Sequence, residues 1–488
     1  MISENIESCE IMIEAIDESI TVKEDPNSVV IALEKALGAG SVKTGADVQN
    51  RACSYWDSSP TQAKALVLPK NTQQVSQALK ICHQMNQTVV THGGLTGCVE
   101  GAHSHANDII ISLEKMSTIE EIDDIGATAI VQSGVILEDI QHAAEEQNLF
   151  FPLDLGARGS CTIGGNIATN AGGINVLRYG MTRNLVLGLE VVLIDGTIVS
   201  SMNQMLKNNA GYDSKQIFIG SEGTLGIVTR AVLKLFPKPT TSFCALIALN
   251  SFANVAAFLN SMSESMGGTL SAFEIMWGDY YQAMTLPDRV APSLERDFPY
   301  YVLLEARGND IEQDGTRFES SLETALSSDQ VLDVVIPSSE AKRQTLWEVR
   351  EGFEVIMNES LTFLYDVSLP IKEMDEYVNR MKQELAAIWP ESKCYVFGHV
   401  ADGNLHVFVQ PWDERNTETA ELRRMSDQCV YKHLKQANGS VSAEHGIGTE
   451  KKAWLSHSRT EEEIQLMKLF KKSLDPNNLL NPGVIFDI

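Results

Sequence analysis

The chain has 488 residues, of which 43% are hydrophobic and 21% are charged, and its formal net charge is −27. This length exceeds one ordinary hydrophobic core and predicts two or three domains. The acidic balance argues against binding to nucleic acid and against charge-driven docking on anionic lipid.

The cysteines and the N-terminus give an expectation about location. Eight cysteines are scattered along the chain without a Cys-x-x-Cys pair, a pattern that favours a reducing compartment. The N-terminal stretch MISENIESCEIMIEAIDESI lacks the basic and apolar regions of a secretory signal. No apolar run reaches the ~18 residues of a transmembrane helix. We therefore expect a cytoplasmic protein without a transmembrane segment.

The first half of the chain alternates predicted helices and strands. Residues 1–50 are typical of short acidic helices, and residues 61–94 predict a strand, a helix, a second strand and a glycine loop. A glycine- and asparagine-rich segment follows at 151–182. Next come a hairpin that turns at Asp195 and Gly196 and a long strand that ends in prolines.

Domain boundaries are predicted after residues 238 and 430. Residues 1–238 are expected to hold N-terminal helices and a first domain, and residues 239–430 mix helices and strands as in an α+β domain. Residues 431–488 are expected to form a helical C-terminal segment.

Three glycine-rich segments point to a ligand: THGGLTGC at 91–98, the stretch 152–173, and GSEGTLGIVT at 220–229. Consecutive backbone N–H groups in such loops can form an anion-binding nest. None of them matches Gly-x-Gly-x-x-Gly opening a helix, so a nicotinamide Rossmann site is not indicated. Any one segment could be an ordinary loop, whereas three together indicate a long ligand laid against the backbone.

The stretch FGHVADGNLHVF, residues 397–408, predicts a hairpin that carries two histidines. Asp402 and Gly403 suit a two-residue turn. Such a turn would place His399 opposite His406, with Cβ atoms ~5 Å apart. This separation suits two imidazoles on one metal ion. The alternative is a pair of surface or core histidines.

Five motifs in chain order carry a resemblance to a known family: PLDLGARGSCTIGGNIATNAGG, GYDSKQIFIGSEGTLGIVT, FGHVADGNLH, SAEHGIGTEK and DPNNLLNPG. Together they resemble the D-2-hydroxy-acid dehydrogenase branch of the FAD-binding vanillyl-alcohol-oxidase superfamily. That branch includes D-lactate dehydrogenase, the glycolate oxidase flavin subunit and D-2-hydroxyglutarate dehydrogenase. The resemblance implies an α+β architecture with an FAD-binding domain, a substrate (cap) domain with an antiparallel sheet, and a C-terminal segment that closes over the flavin.

The resemblance also implies which residues bind FAD. They belong to the pyrophosphate loop, a second loop beside the pyrophosphate and flavin ring, a segment near the adenosine, and the closing motif. In that order they are Gly93, Gly94, Thr96, Gly97; Gly159, Ser160, Thr162, Gly164, Gly165, Asn166, Ala168, Asn170; Glu222, Gly226, Ile227; and Asn481. A turn before Pro482 is an equal alternative for Asn481. His92 precedes the glycines, and members of this branch hold FAD noncovalently, so noncovalent binding is expected.

The motif SAEHGIGTEK supplies a carboxylate and a further imidazole. In the family, this glutamate joins the hairpin histidines as a metal ligand, and the next histidine is the general base. His399, His406 and Glu444 are therefore expected to hold a divalent metal, and His445 to take the substrate proton. Zn²⁺ is the first choice, with Mn²⁺ and Fe²⁺ left open. Arg350 is expected to fix the substrate carboxylate; the alternative is a helical surface arginine.

The substrate is predicted from three departures from relatives that act on 2-hydroxyglutarate. Those relatives have a lysine, an asparagine and a threonine where this chain has Leu364, Phe408 and Glu354. A second carboxylate would be left there without a partner, at a considerable cost in free energy. Leu364 and Phe408 are therefore expected to form an apolar wall of the substrate pocket. We expect D-lactate or a larger apolar monocarboxylic D-2-hydroxy acid as substrate, with D-2-hydroxyglutarate as the alternative.

Two other functional classes stay open at this point. One is a metal-dependent hydrolase with purely structural glycine loops. The other is a flavin-fold transferase related to alkylglycerone-phosphate synthase, which the hairpin and AEHG motifs disfavour. The electron acceptor is not identified by the sequence: a quinone or a flavoprotein is expected, and the absent Rossmann motif argues against NAD. A homodimer is also left open.

Overall fold

The structure is a computed structural model that describes residues 28–412 and 417–488. The expectations for residues 1–27, short acidic helices and no signal sequence, lie outside the described residues. Within the described ranges, no helix is long and apolar enough to cross a membrane.

The first unit is a four-stranded sheet with helices packed against it. Its strands are β1 (Val42–Lys43), β2 (Ala65–Val67), β3 (Val89–His92) and β4 (Ile109–Ser112), in the spatial order β1-β2-β4-β3, and its helices are α1 (Ser28–Leu37), α2 (Ala46–Gln49) and α3 (Thr72–Gln84). β2, β4 and β3 run parallel, which requires a crossover, and α3 supplies it. The carboxyl end of β3 therefore leads directly into the glycine loop at residues 93–97, an edge at which such sheets bind ligands.

The second unit is a five-stranded antiparallel sheet in the order β5-β6-β10-β8-β9. The strands of this region are β5 (Ile119–Asp123), β6 (Thr128–Gln132), β7 (Leu149–Phe150), β8 (Val186–Val192), β9 (Ile198–Ser201), β10 (Ile227–Lys234) and β11 (Phe236–Pro237). Its helices are α4 (Leu137–Glu145), α5 (Ile163–Thr169), α6 (Val176–Tyr179), α7 (Thr182–Leu185) and α8 (Lys215–Phe218). β8 and β9 pair antiparallel, which confirms the hairpin predicted around Asp195 and Gly196.

The third unit is a seven-stranded antiparallel sheet in the order β15-β12-β14-β13-β17-β18-β16. Its strands are β12 (Thr241–Leu249), β13 (Leu270–Trp277), β14 (Tyr300–Gly308), β15 (Asp333–Val335), β16 (Phe363–Ser368), β17 (Lys393–His399) and β18 (Asn404–Gln410). Its helices are α9 (Phe252–Met266), α10 (Gly278–Met284), α11 (Ile311–Ser327), α12 (Glu340–Glu351), α13 (Glu354–Met357), α14 (Met374–Ile388) and α15 (Thr419–Tyr431).

Helices cover both faces of this third sheet. The larger core joins one face to α9, α11, α14 and α15, and a smaller core joins the other face to α10, α12 and α13. Residues on one strand alternate between the two faces, so β18 sends Val407 to the larger core and Phe408 to the smaller one. The expected α+β fold with an antiparallel sheet in the cap is confirmed.

The C-terminal part begins inside the core of the third unit. Leu434 and Val441 belong to the same buried cluster as the sheet, and α16 (Glu461–Leu474) follows. The chain then returns to the first unit, where Leu480 bridges to Val89 of β3. The domain boundaries after residues 238 and 430 stay a prediction.

Candidate active site

A cleft that is open to solvent runs between the glycine loops. Most of the residues expected to bind FAD line it: Gly93, Gly94, Thr96, Gly97, Thr162, Gly164, Gly165, Asn166, Ala168, Glu222, Gly226, Ile227 and Asn481. These residues come from four distant parts of the chain, and the fold places them around one cleft. His445 also lines this cleft.

Three of the residues expected to bind FAD, Gly159, Ser160 and Asn170, lie outside the cleft lining, and their role in FAD binding stays a prediction. Gly159 and Ser160 are exposed on the turn before α5, where the Ser160 hydroxyl donates to the Ala157 carbonyl at 3.3 Å. Asn170 ends α5 in the left-handed conformation, and its side-chain oxygen accepts from the Arg183 N–H at 2.9 Å. In this stretch the cleft lining begins at Cys161, just before Thr162, the N-cap of α5.

Four buried polar atoms along the cleft have no hydrogen-bond partner among the described residues: Thr91 Oγ1, His92 Nδ1, Ser133 Oγ and Thr162 Oγ1. Buried polar groups are normally paired, so these atoms are suited to a polar ligand in the cleft. The phosphates and hydroxyls of FAD provide such partners. Ser133 was missed by sequence reasoning, because it follows a plain strand and belongs to no glycine motif.

The two main glycine loops are pressed together at Gly94. A Cβ atom at this position would overlap the Ser160 carbonyl, so only glycine permits this approach. By contrast, nothing lies within 4 Å of the corresponding position at Gly97. The backbone of the loop is thus open to the cleft where a phosphate would approach.

Glu222 and Asn481 use their polar atoms inside the protein. The Glu222 carboxylate accepts from the N–H groups of Ile447 and Gly448 at 2.7 and 2.8 Å. The Asn481 side chain accepts from the Thr91 N–H at 2.9 Å and donates to the Glu222 carbonyl at 2.7 Å. Both residues therefore fasten the C-terminal segment onto the wall of this cleft.

The histidine hairpin forms, but its predicted register is wrong by two residues. His406 lies opposite Phe397, not opposite His399. The reason is that Val400–Asp402 form a 3₁₀ turn that ends at Gly403, where φ is 90°, so the loop is longer than two residues. A shift of two residues keeps side chains on the same face. The imidazole centroids of His399 and His406 are consequently 5.3 Å apart.

The three expected metal ligands come together on this face. One ligand atom each from His399, His406 and Glu444 lies within 4.8 Å of the others. His399 Nδ1 is 2.7 Å from a Glu274 carboxylate oxygen, and His406 Nδ1 is 3.8 Å from Asp366. A carboxylate behind each imidazole is the usual arrangement around a metal. The donor set therefore fits a divalent metal.

Asp366 holds the loop that carries Glu444 and His445. Its Oδ2 accepts from the N–H groups of Ala443, Glu444 and His445 at 3.0, 2.8 and 3.1 Å. The same oxygen lies 3.9 Å from His445 Nδ1. Asp366 was missed by sequence reasoning, although it stands in the YDVSLP motif two residues after Leu364.

Arg350 lies at the site, but its guanidinium is engaged with Glu274. Arg350 Nε and Nη2 are 2.9 and 2.8 Å from the Glu274 oxygen that does not face His399. Both side chains are buried, which argues against a plain surface arginine. This pair uses one N–H of Nε and one of Nη2, so the Nη1 donors and the second N–H of Nη2 are left for a substrate carboxylate. The substrate-binding role of Arg350 stays a prediction.

The charges of the site follow from burial and from these carboxylates. Burial disfavours the charge on His399, but Glu274 outweighs it and raises the pKa of His399 to about 9. Burial lowers the pKa of His445, although Asp366 opposes the shift. Burial raises the pKa of Glu444 to about 7. His445 is therefore the imidazole suited to accept a proton near neutral pH.

The two residues of the expected apolar wall are neighbours, one layer away from the expected metal ligands. Leu364 and Phe408 are directly opposed on β16 and β18. Phe408 packs on Phe397 with ring centroids 5.0 Å apart, and Phe397 packs on His406 at 5.2 Å. Neither Leu364 nor Phe408 lines the large cleft, and their contact with substrate stays a prediction.

Comparison with known proteins agrees with this arrangement. Residues 63–201 match the family described as FAD binding domain, and residues 238–485 match the family described as FAD linked oxidases, C-terminal domain. Among solved structures, p-cresol methylhydroxylase superposes with a TM-score of 0.73 at 18% identity, over 94% of this chain and 97% of its own. Alkyldihydroxyacetonephosphate synthase superposes with a TM-score of 0.72 at 15% identity, over 93% and 84%. These two likenesses show the fold.

Several relatives share far more sequence. The mitochondrial D-2-hydroxyglutarate dehydrogenase of Bos taurus is 38% identical over 86% of this chain and 76% of its own length. The D-2-hydroxyglutarate dehydrogenase of Xanthomonas citri pv. viticola is 37% identical over 94% and 97%. A Schizosaccharomyces pombe protein, provisionally named a mitochondrial D-lactate dehydrogenase, is 37% identical over 85% and 80%. The chain belongs to the FAD-linked oxidase family, in its branch of FAD-dependent D-2-hydroxy-acid dehydrogenases.

Proposed function

We propose that this dehydrogenase uses noncovalently bound FAD and a divalent metal, Zn²⁺ as first choice, held by His399, His406 and Glu444. We further propose that its substrate is D-lactate or a larger apolar monocarboxylic D-2-hydroxy acid. The observation that carries the proposal is the place of His445. This residue lines the FAD cleft, and its Nδ1 faces the same Asp366 that lies behind His406.

The reaction needs one hydride acceptor and one proton acceptor. When bound, FAD supplies the acceptor for the hydride that leaves C2, and a divalent metal supplies the positive charge that acidifies a hydroxyl. His445 takes the hydroxyl proton, since its lowered pKa keeps it neutral near pH 7. The hydride carries two electrons from C2 to FAD, the hydroxyl proton goes to His445, and the C2–O single bond becomes the carbonyl of the 2-oxo acid.

The preference for an apolar acid is supported by the surroundings of the ligand histidines. Phe397, Phe408 and Phe353 form a ring cluster beside His406, which offers no partner for a second carboxylate. Arg343, a cation that could serve it, is paired with Glu305 at 2.9 Å and Glu340 at 3.0 Å. D-2-hydroxyglutarate is the second candidate, favoured by the names of the bovine and Xanthomonas relatives.

A substrate series tests the proposal. The purified protein should be yellow, and its kcat/KM with an artificial dye acceptor should be compared for D-lactate, D-2-hydroxyisovalerate and D-2-hydroxyglutarate. We expect D-2-hydroxyglutarate to be the poorest of the three. If it has the highest kcat/KM, the apolar preference is wrong, and a colourless hydrolytic protein would contradict the whole proposal.

The cellular location and the electron acceptor are a separate part of the proposal. We propose a cytoplasmic enzyme that passes its electrons to a quinone or a flavoprotein, whereas the Bos taurus and Schizosaccharomyces pombe relatives are named mitochondrial.

A further inference from the structure

A further group of side chains that could bind a metal, in the described part of the chain, lies at the rim of the cleft and shares no residue with the expected metal ligands of the active site. Cys53, Asp57 and His103 bring one thiol, one carboxylate and one imidazole together, with their ligand atoms all within 4.8 Å of one another. Each of the three residues is partly exposed. The group lies where the segment 51–57 meets the loop 99–103.

Backbone hydrogen bonds orient the side chains. Asp57 Oδ1 accepts from the Ser59 N–H at 2.9 Å, which leaves Oδ2 directed toward His103 Nε2 at 3.7 Å. The Cys53 N–H donates to the carbonyl of the same Ser59 at 3.0 Å. Ser59 therefore joins the backbone of Cys53 to the carboxylate of Asp57.

We propose that Cys53, Asp57 and His103 form a zinc site that fastens the segment 51–57 to the rim of the FAD cleft. Sulfur, nitrogen and oxygen donors in one group are typical of Zn²⁺ ligands. Ligand atoms on a tetrahedral Zn²⁺ are about 3.3–3.7 Å apart, so a shift of about 1 Å in two surface loops would complete the set. Three protein ligands leave the fourth position to water.

The location of this group suggests that a bound ion would affect FAD binding. Ser54, Glu100 and His103 line the FAD cleft. The Tyr55 N–H donates to the Leu95 carbonyl at 2.8 Å, and the Tyr55 hydroxyl lies 3.5 Å from Glu354 of α13. The segment 51–57 thus connects the FAD loop with the cap domain. A metal ion at its base would hold it in place and slow the release of FAD.

Alkylation of Cys53 tests the site, because a zinc-bound thiolate is protected from iodoacetamide. The FAD-loaded His399→Ala protein should be treated with and without Zn²⁺, so that the candidate active-site metal does not contribute. Peptide mass spectrometry then gives the alkylation rate of Cys53, with Cys98 as an internal reference. We expect Zn²⁺ to slow alkylation of Cys53 at least tenfold and to leave Cys98 unchanged.

Two further variants distinguish a metal site from an Asp57–His103 ion pair beside an uninvolved thiol. His103→Ala and Asp57→Asn, each in the same background, should abolish the protection of Cys53. Equal alkylation with and without Zn²⁺ in the His399→Ala protein would overturn the site. Protection that survives in both further variants would overturn it as well.

The rate of FAD release tests separately whether the ion at this site slows FAD dissociation. Zn²⁺ should slow FAD dissociation from the His399→Ala protein and should have no effect when Cys53→Ser is added. Protection of Cys53 without slower FAD release would keep the zinc site and overturn its role at the cleft rim.

Discussion

Asp366 and Glu274 are the two buried acids that hold the expected metal ligands in place. Asp366 collects three backbone N–H groups of the loop 443–445, and the positive groups around it hold its pKa well below the usual range despite burial. Glu274 joins His399 to Arg350. A buried carboxylate persists only when paired in this way. The geometry of the expected metal ligands therefore rests on these two buried acids.

The base role of His445 can be tested by one substitution. His445→Asn should retain FAD and metal, yet lose roughly 10²- to 10⁴-fold in turnover, the usual contribution of a positioned base. The measurement is the rate of flavin reduction by D-lactate under anaerobic conditions. His105→Asn, at an exposed histidine, is the control and should react at the wild-type rate. A near-normal rate in His445→Asn would assign the proton to another group.

The distal pocket can be tested at Leu364. This side chain is only partly buried, so Leu364→Lys introduces a cation without emptying the core that holds Phe408. We expect kcat/KM for D-2-hydroxyglutarate to rise relative to D-lactate, since the new ammonium can pair with a second carboxylate. Leu361→Lys, at an exposed position before β16, is the control. An unchanged ratio of the two substrates in Leu364→Lys would place the pocket elsewhere.

At the scale of elements, the hairpin shows how far the sequence could lead. The alternation of β17 and β18 correctly predicts that both histidines share a face, because side-chain direction depends only on parity. The register depends on the length of the loop, and the 3₁₀ turn at Val400–Asp402 is not marked by any residue that excludes a tighter turn. Similarly, Glu274 lies 125 residues from His399, a distance at which no local pattern predicts a contact.

The C-terminal element is fastened through a buried lysine, which gives a stability prediction. Lys471 donates to Asp475 at 2.5 Å and to the carbonyls of Thr224 and Leu480 at 2.9 and 2.7 Å. Lys471→Met leaves Asp475 buried without its cation, which should cost ~3–5 kcal/mol in the free energy of unfolding.

Urea denaturation followed by fluorescence measures this free energy, and Lys472→Met supplies the control. Lys472 is the exposed neighbour on the same helix, and its loss should change stability by no more than ~0.5 kcal/mol. If the two methionine variants unfold at the same urea concentration, Lys471 does not fasten the C-terminal segment.

At the scale of the whole molecule, the site lies where three parts of the chain meet. The glycine loops of the first two sheets form the FAD cleft, the third sheet presents His399 and His406, and the segment after α15 contributes Glu444 and His445 between them. The motifs correctly predicted the FAD-binding fold, and they pointed to these residues because each motif is local in sequence; the roles of the residues stay predictions. The links between the parts, through Glu222, Asp366 and Asn481, are long-range and became visible only in the folded chain.

The central claim is that oxidation of the hydroxy acid depends on a divalent metal at His399, His406 and Glu444. The most direct test measures metal content and the anaerobic rate of flavin reduction by D-lactate on the same samples of wild type and His399→Ala. His433→Ala is the control, since His433 also pairs with a glutamate, Glu384, at 3.0 Å. We predict that His399→Ala holds one divalent ion fewer per chain and loses flavin reduction, while His433→Ala keeps both. A wild-type rate of flavin reduction in His399→Ala without that ion would contradict the account.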